Sequence, residues 1–234
     1  MKTTIAALCI AVGITLGSSS ARAGQDDFDR VTAANDVLRE IMSEPDEGIP
    51  QELLDHAHCV VVVPGLKRAG FVLGGRYGVG VASCRRPIGG WSAPSTMKVE
   101  GGSIGFQIGA GETDLVLVVM NERGKERLYE SKFTLGGEAA AMAGPVGRQS
   151  SAETDAYLSA EILSYSKSRG LFAGVNIKGS TLRPDDEANR DLYGKAVNHR
   201  EILEGQVAVP AVAQPLLETL NKFSPYEAGK VSRR

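Results

Sequence analysis

The chain has 234 residues, 26 basic and 28 acidic, with 42% hydrophobic and 23% charged residues. This is the composition of a globular domain of ordinary size, and it excludes a disordered chain or a multi-span membrane protein. The near-balance of charge excludes the broad basic field of a nucleic-acid binder, so contact with any anionic surface has to come from a local patch.

Lys2 and the apolar run from Ile5 to Leu16, too short for an ordinary membrane span, precede Ala21-Arg22-Ala23. That order predicts a signal peptide over 1–23, cleaved before Gly24, and a periplasmic or secreted mature protein; a retained anchor is the alternative. Losing Lys2 and Arg22 leaves 24 basic residues against 28 acidic ones, a net charge of −4. Cys9 leaves with the leader. Cys59 and Cys84 remain, and the oxidising compartment predicts a disulfide between them; two buried free thiols are the alternative. No C-x-x-C is present.

Phe28, Val31, Ala34, Val37, Leu38, Ile41 and Met42 recur at helical spacing, which predicts an amphipathic helix over 26–43 stopped by Pro45. Its polar face is acidic, so its apolar face is expected to pack on the domain. Pro50 is placed to open a short second helix reaching His56. Cys59 to Val63 is a buried strand closed by Pro64-Gly65, and Phe71 to Ser83 is a strand bent by its glycines. Trp91 to Ile108 reads as two strands around Gly101-Gly102, and Leu115 to Met120 as one more. Asn121 to Tyr129 is a helical connection, and Phe133 to Val146 is extended. Tyr157 to Tyr165 alternates as a strand ended by Gly170, with Leu171 to Ile177 pairing back. Helices follow over Asp185 to Tyr193, Arg200 to Leu203 and Leu216 to Phe223, then a polar tail over 226–234. The fold class is α+β: a mainly antiparallel, glycine-rich sheet, open to closure as a barrel, flanked by N- and C-terminal helices.

The strand block carries Lys67-Arg68-Ala69-Gly70-Phe71, Gly74-Gly75-Arg76-Tyr77-Gly78-Val79-Gly80 and Gly90-Trp91-Ser92-Ala93-Pro94-Ser95. In order after them come Thr113-Asp114-Leu115-Val116, Thr134-Leu135-Gly136-Gly137, Ala143 to Arg148, Tyr165 to Gly174 and Glu187 to Gly194. This series resembles the SYLF domain family from about Phe28 to Phe223, as one domain over 24–225 of the exported bacterial kind. The resemblance implies a non-enzymatic, lipid-binding module that engages membrane lipids, anionic phospholipid above all, with no cofactor. Related eukaryotic modules bind phosphoinositides, and some bundle actin. The export signal makes actin an unexpected partner here, while an envelope protein partner without lipid affinity is the alternative function. The candidate head-group contacts are Lys67, Arg68, Arg76, Arg85 and Arg86, each able to add about 1 kcal/mol near an anionic surface, unless strand alternation divides them between faces.

Gly101-Gly102-Ser103-Ile104-Gly105 fits G-x-S-x-G, with Asp191 and His199 following in hydrolase order. A nucleophile elbow needs a helix after its turn, whereas a glycine-rich strand, read as a hairpin, follows here. His56, His58 and Cys59 lack the further ligands and spacing of a zinc site.

Overall fold

A computed structural model describes residues 19–43, 48–70, 73–104, 109–147, 157, 159–168 and 170–225. Residues 1–18 of the expected leader and the tail 226–234 lie outside the described residues. The first helix, α1 (Ser19–Ser43), begins ahead of the expected cleavage point. Val31, Ala34, Leu38 and Ile41 are buried on its inward side, so the acidic helix packs on the domain as its composition suggested. The short α2 (Gln51–Asp55) follows Pro50.

The strands are β1 (Cys59–Gly70), β2 (Leu73–Cys84), β3 (Ser95–Ile104), β4 (Gly109–Val119), β5 (Phe133–Thr134), β6 (Ala141–Ala143), β7 (Ile162–Ser168), β8 (Leu171–Gly174) and β9 (Ser180–Pro184). They form one curled sheet in the order β5-β9-β3-β2-β1-β4-β7-β6, with β8 also on β7. Every pairing is antiparallel except β6 with β7. The sheet is a half-barrel. Its two edge strands, β5 and β6, are joined by the segment Leu135–Ala140, whose Leu135 and Ala139 are buried against the concave core. Gly136, at φ 79°, makes the turn in that segment.

Three strand readings need correction. The strand from Cys59 does not end at Pro64-Gly65. It bulges there and runs on to Gly70, with Gly65 at φ 57° and its N–H donated to Asp114 Oδ1 at 2.9 Å. Among the described residues of Trp91 to Ile108 there is one strand, not two: β3 runs through Gly101-Gly102 to Ile104 and does not pair with β4, because β2 and β1 lie between them, while 105–108 lie outside the described residues. Lastly, Tyr157 and Ser159 are helical, and β7 begins only at Ile162.

The sheet is covered on both faces. Val60, Val62, Val81, Val116 and Val118 pack under α1 and α6 (Gln214–Phe223). Val61, Val63, Met97, Val99, Leu115, Leu117 and Val119 face the concave core with Phe133 and Leu182, under α3 (Glu122–Tyr129) and α5 (His199–Leu203). Capping sets the helix starts: Asn121 accepts from Gly124 N–H, and Asp185 from Ala188 N–H at the start of α4 (Asp186–Tyr193), which Gly194 ends at φ 66°. Cys59 and Cys84 face each other across the root of the β1–β2 hairpin and are joined by a disulfide.

Candidate functional site

The five candidate cations do not form one patch. Arg68 and Arg76 are cross-strand partners near the tip of the β1–β2 hairpin, so their side chains share a face. Lys67 pairs with Tyr77 instead and faces the groove beside α1. Period-two alternation therefore divides Lys67 from Arg68. Arg85 and Arg86 follow the hairpin root. Arg76 and Arg85 are nine positions apart, about 30 Å along an extended strand.

Arg85 faces the interior and not an anionic surface. It is only 6% exposed, and its Nε donates to the carbonyl of Ala57 at 3.0 Å. Its Nη2 donates to Leu54 O and to the Ser224 hydroxyl, and the guanidinium lies 4.7 Å from the centre of the Trp91 ring. A charge so enclosed holds α2 and the end of α6 to the sheet. Arg86 turns its stem toward Gly205, which follows α5. That leaves Arg68 and Arg76.

These two arginines line a pocket of about 190 Å³ at the open mouth of the half-barrel. Its floor is Leu66, Leu115 and Ile177, the outermost residues of the concave core; Thr113, Ser166 and Asn176 add polar atoms. Gly70, Gly74 and Gly75 form the rim. Among the described residues neither guanidinium has an acidic partner. Burial, and then the neighbouring charge of Arg68, push the pKa of Arg76 below its ordinary value. An anion placed between the two guanidiniums offsets both penalties. Lys67, by contrast, lies 3.9 Å from Glu112, with both side chains well exposed.

The sequence did not reveal the apolar floor, which comes from strands far apart in the chain. It did hold a signal for the arginine pair: Arg68 stands two positions before Gly70 and Arg76 two positions after Gly74, the glycines that pair at the tip.

The hydrolase reading fails on geometry. The N–H of His199 Nε2 donates to the carbonyl of Leu128 at 2.8 Å, and its Nδ1 takes the hydroxyl of Ser95, not of Ser103, at 2.6 Å. Asn189 Nδ2 donates to the same hydroxyl, and Tyr193 OH donates to Pro94 O at 2.6 Å. The Trp91–Ser95 and Glu187–Gly194 motifs thus meet in one buried polar knot. Asp191 lies elsewhere, in the groove with Asp27. Ser103 sits in β3 with its backbone paired to Gly74. Of the weighed metal ligands, Cys59 is in the disulfide, His56 bonds the carbonyl of Glu52, and His58 bonds Glu122.

Sheet, covering helices and basic mouth define an α+β half-barrel domain with a basic pocket at one end. Residues 100–223 match the family model Ysc84, described as a Las17-binding protein actin regulator. The chain is 40% identical over 178 residues to the SH3 domain-containing protein PJ696.02 of Schizosaccharomyces pombe, covering 75% of this chain and 41% of that protein. Protein YSC84 of Saccharomyces cerevisiae is 39% identical over 178 residues, 75% of this chain and 38% of its own. The human SH3 domain-containing YSC84-like protein 1 is 37% identical over 181 residues, 77% of this chain and 53% of its own. The chain belongs to the Ysc84, or SYLF, family. It spans about half the length, or less, of these relatives. The family description lends no support to the reading of actin as an unexpected partner.

Proposed function

We propose that this chain is a non-enzymatic module that binds anionic phospholipid head groups through Arg68 and Arg76, and that it works in the cell envelope after removal of residues 1–23. The observation that carries the reading is the arginine pair: two like charges, without acidic partners among the described residues, beside a pocket with an apolar floor. Two such cations near an anionic surface contribute about 2 kcal/mol, roughly a 30-fold change in affinity. Co-sedimentation with phosphatidylcholine vesicles, with and without phosphatidylglycerol, tests it. Binding is expected only with the anionic lipid, and the double substitution Arg68→Gln/Arg76→Gln is expected to weaken it about 30-fold. Equal binding of variant and parent excludes the mouth as the head-group site. The leader is tested by the mass of the protein recovered from the periplasm of an expression host, expected to begin at Gly24.

A second reading is a protein-binding module, supported by the family's description as a Las17-binding actin regulator. Actin co-sedimentation, together with recovery of partners from envelope extracts, tests it. Binding of one protein by a chain that ignores every vesicle favours this reading over the first.

A further inference from the structure

The apolar floor is not the only apolar element at the mouth. Leu171 opens β8, pairs with Ser168 as the last rung of the β7–β8 hairpin, and is 77% exposed. A lone exposed leucine needs no explanation; its position does. Ser166 of β7 and Val175, just after β8, line the same pocket as Arg68 and Arg76. The β7–β8 hairpin is therefore one wall of the mouth and the β1–β2 hairpin another. Gly170, at φ 80°, turns the chain immediately before Leu171. Ile88 is more exposed, at 85%, but it lies beyond the hairpin root, at the end away from the arginine pair.

We infer that Leu171 is a membrane anchor, entering the acyl region of an anionic bilayer while Arg68 and Arg76 hold head groups at the surface, so that the half-barrel docks mouth-down. This rests on the lipid reading above and adds the orientation and the residue that penetrates. The match is one of charge and polarity together. A bilayer sets an anionic layer over an apolar one, and the mouth sets paired cations beside a projecting leucine.

The test uses the full chain and vesicles of phosphatidylcholine with phosphatidylglycerol. Leu171→Ser is expected to weaken vesicle binding about tenfold, and the loss is expected to persist in high salt, where the arginine contribution is screened. Leu171→Trp places a fluorophore at the tip. Trp91, the single native tryptophan, is 2% exposed and serves as an unchanging reference. Lipids brominated on the acyl chain are expected to quench the new tryptophan and leave Trp91 bright. If the parent binds, but Leu171→Ser binds equally well and Leu171→Trp is not quenched, the anchor is overturned and the lipid reading stands. If the parent ignores the vesicles, both fall.

Discussion

Gly80 lies where β2 passes beside the end of the valine run in β1. A Cβ there would overlap the carbonyl oxygen of Val62 and lie 2.6 Å from the Cα of Val63. Backbone atoms cannot move aside cheaply, so Gly80→Ala is expected to cost about 1–3 kcal/mol. Thermal unfolding reads this as a drop of about 2–4 °C per kcal/mol for a chain of this size. Gly75, whose Cβ would meet nothing within 4 Å, is the control, and Gly75→Ala is expected to be near neutral. Arg85 gives a second prediction. Arg85→Gln removes charge-assisted hydrogen bonds to buried carbonyls and is expected to cost at least about 2 kcal/mol, with no change in vesicle binding at temperatures where the variant stays folded. An Arg85→Gln protein of parental melting temperature would refute the structural role. The sequence put Arg85 beside Arg86 and Arg76 as equals. Only the position of α2 and of Ser224 reveals that its charge is already engaged, and both come from segments distant in the chain.

Two helices carry buried titratable groups of opposite sign. Asp27 of α1 is 3% exposed, bonds Arg30 and faces Asp185 and Asp191 at α4; Lys98 of β3 pairs with Asp185 at 2.8 Å. Burial, opposed by Arg30 but reinforced by the two carboxylates, raises the Asp27 pKa from 3.8 to about 6. The folded state thus holds this proton more tightly than the unfolded one. Its stabilising contribution is complete below about pH 3.8 and is lost as pH rises through about 6. Asp27→Asn is expected to exceed the parent in stability at pH 8 by on the order of 2–3 kcal/mol, and to match it near pH 4. Urea midpoints at the two pH values measure this. His199 of α5 behaves in reverse. Burial lowers its pKa from 6.5, so the knot with Ser95 and Leu128 is complete above that value and weakens as pH falls through the lowered folded one. A His199→Gln variant whose stability follows the parental pH profile from 7 down to 4 would show that the knot does not titrate. The helices were legible from the sequence because caps and apolar spacing are local signals: Asn121, Asp185 and Gly194 stand where the reading put the ends. The strands were less so. Ile162 to Tyr165 is buried on both sides, so alternation does not mark where β7 begins, and the brief β9 was not read at all.

The whole molecule was legible as a class and less so as a topology. Glycine-punctuated strands between helices do give an α+β half-barrel. The order of those strands depends on β9 reaching β3 and on β4 crossing to the far side of β1, contacts that local pattern does not encode. The same limit governs the mouth. Five cations within twenty residues read as one patch, and strand rise and alternation divide them. The disulfide was legible from the cysteine count together with the expected export signal. It closes a loop with a sequence separation of 25, for which chain entropy gives about 3.5 kcal/mol. Reduction under native conditions is expected to lower stability by about that amount, and Cys59→Ala/Cys84→Ala to reproduce it. A reduced protein with an unshifted denaturation midpoint would contradict this.

The covalent rung at Cys59–Cys84 and the arginine pair occupy opposite ends of one hairpin, which has a mechanical consequence. Load applied to the chain on the two sides of the hairpin crosses from Cys59 to Cys84 through the disulfide and does not reach the tip that carries the arginines. Tethering the two chain ends in a force experiment should therefore give an extension that is shorter in oxidising buffer by the 25-position separation of the cysteines and lengthens once a reductant is added.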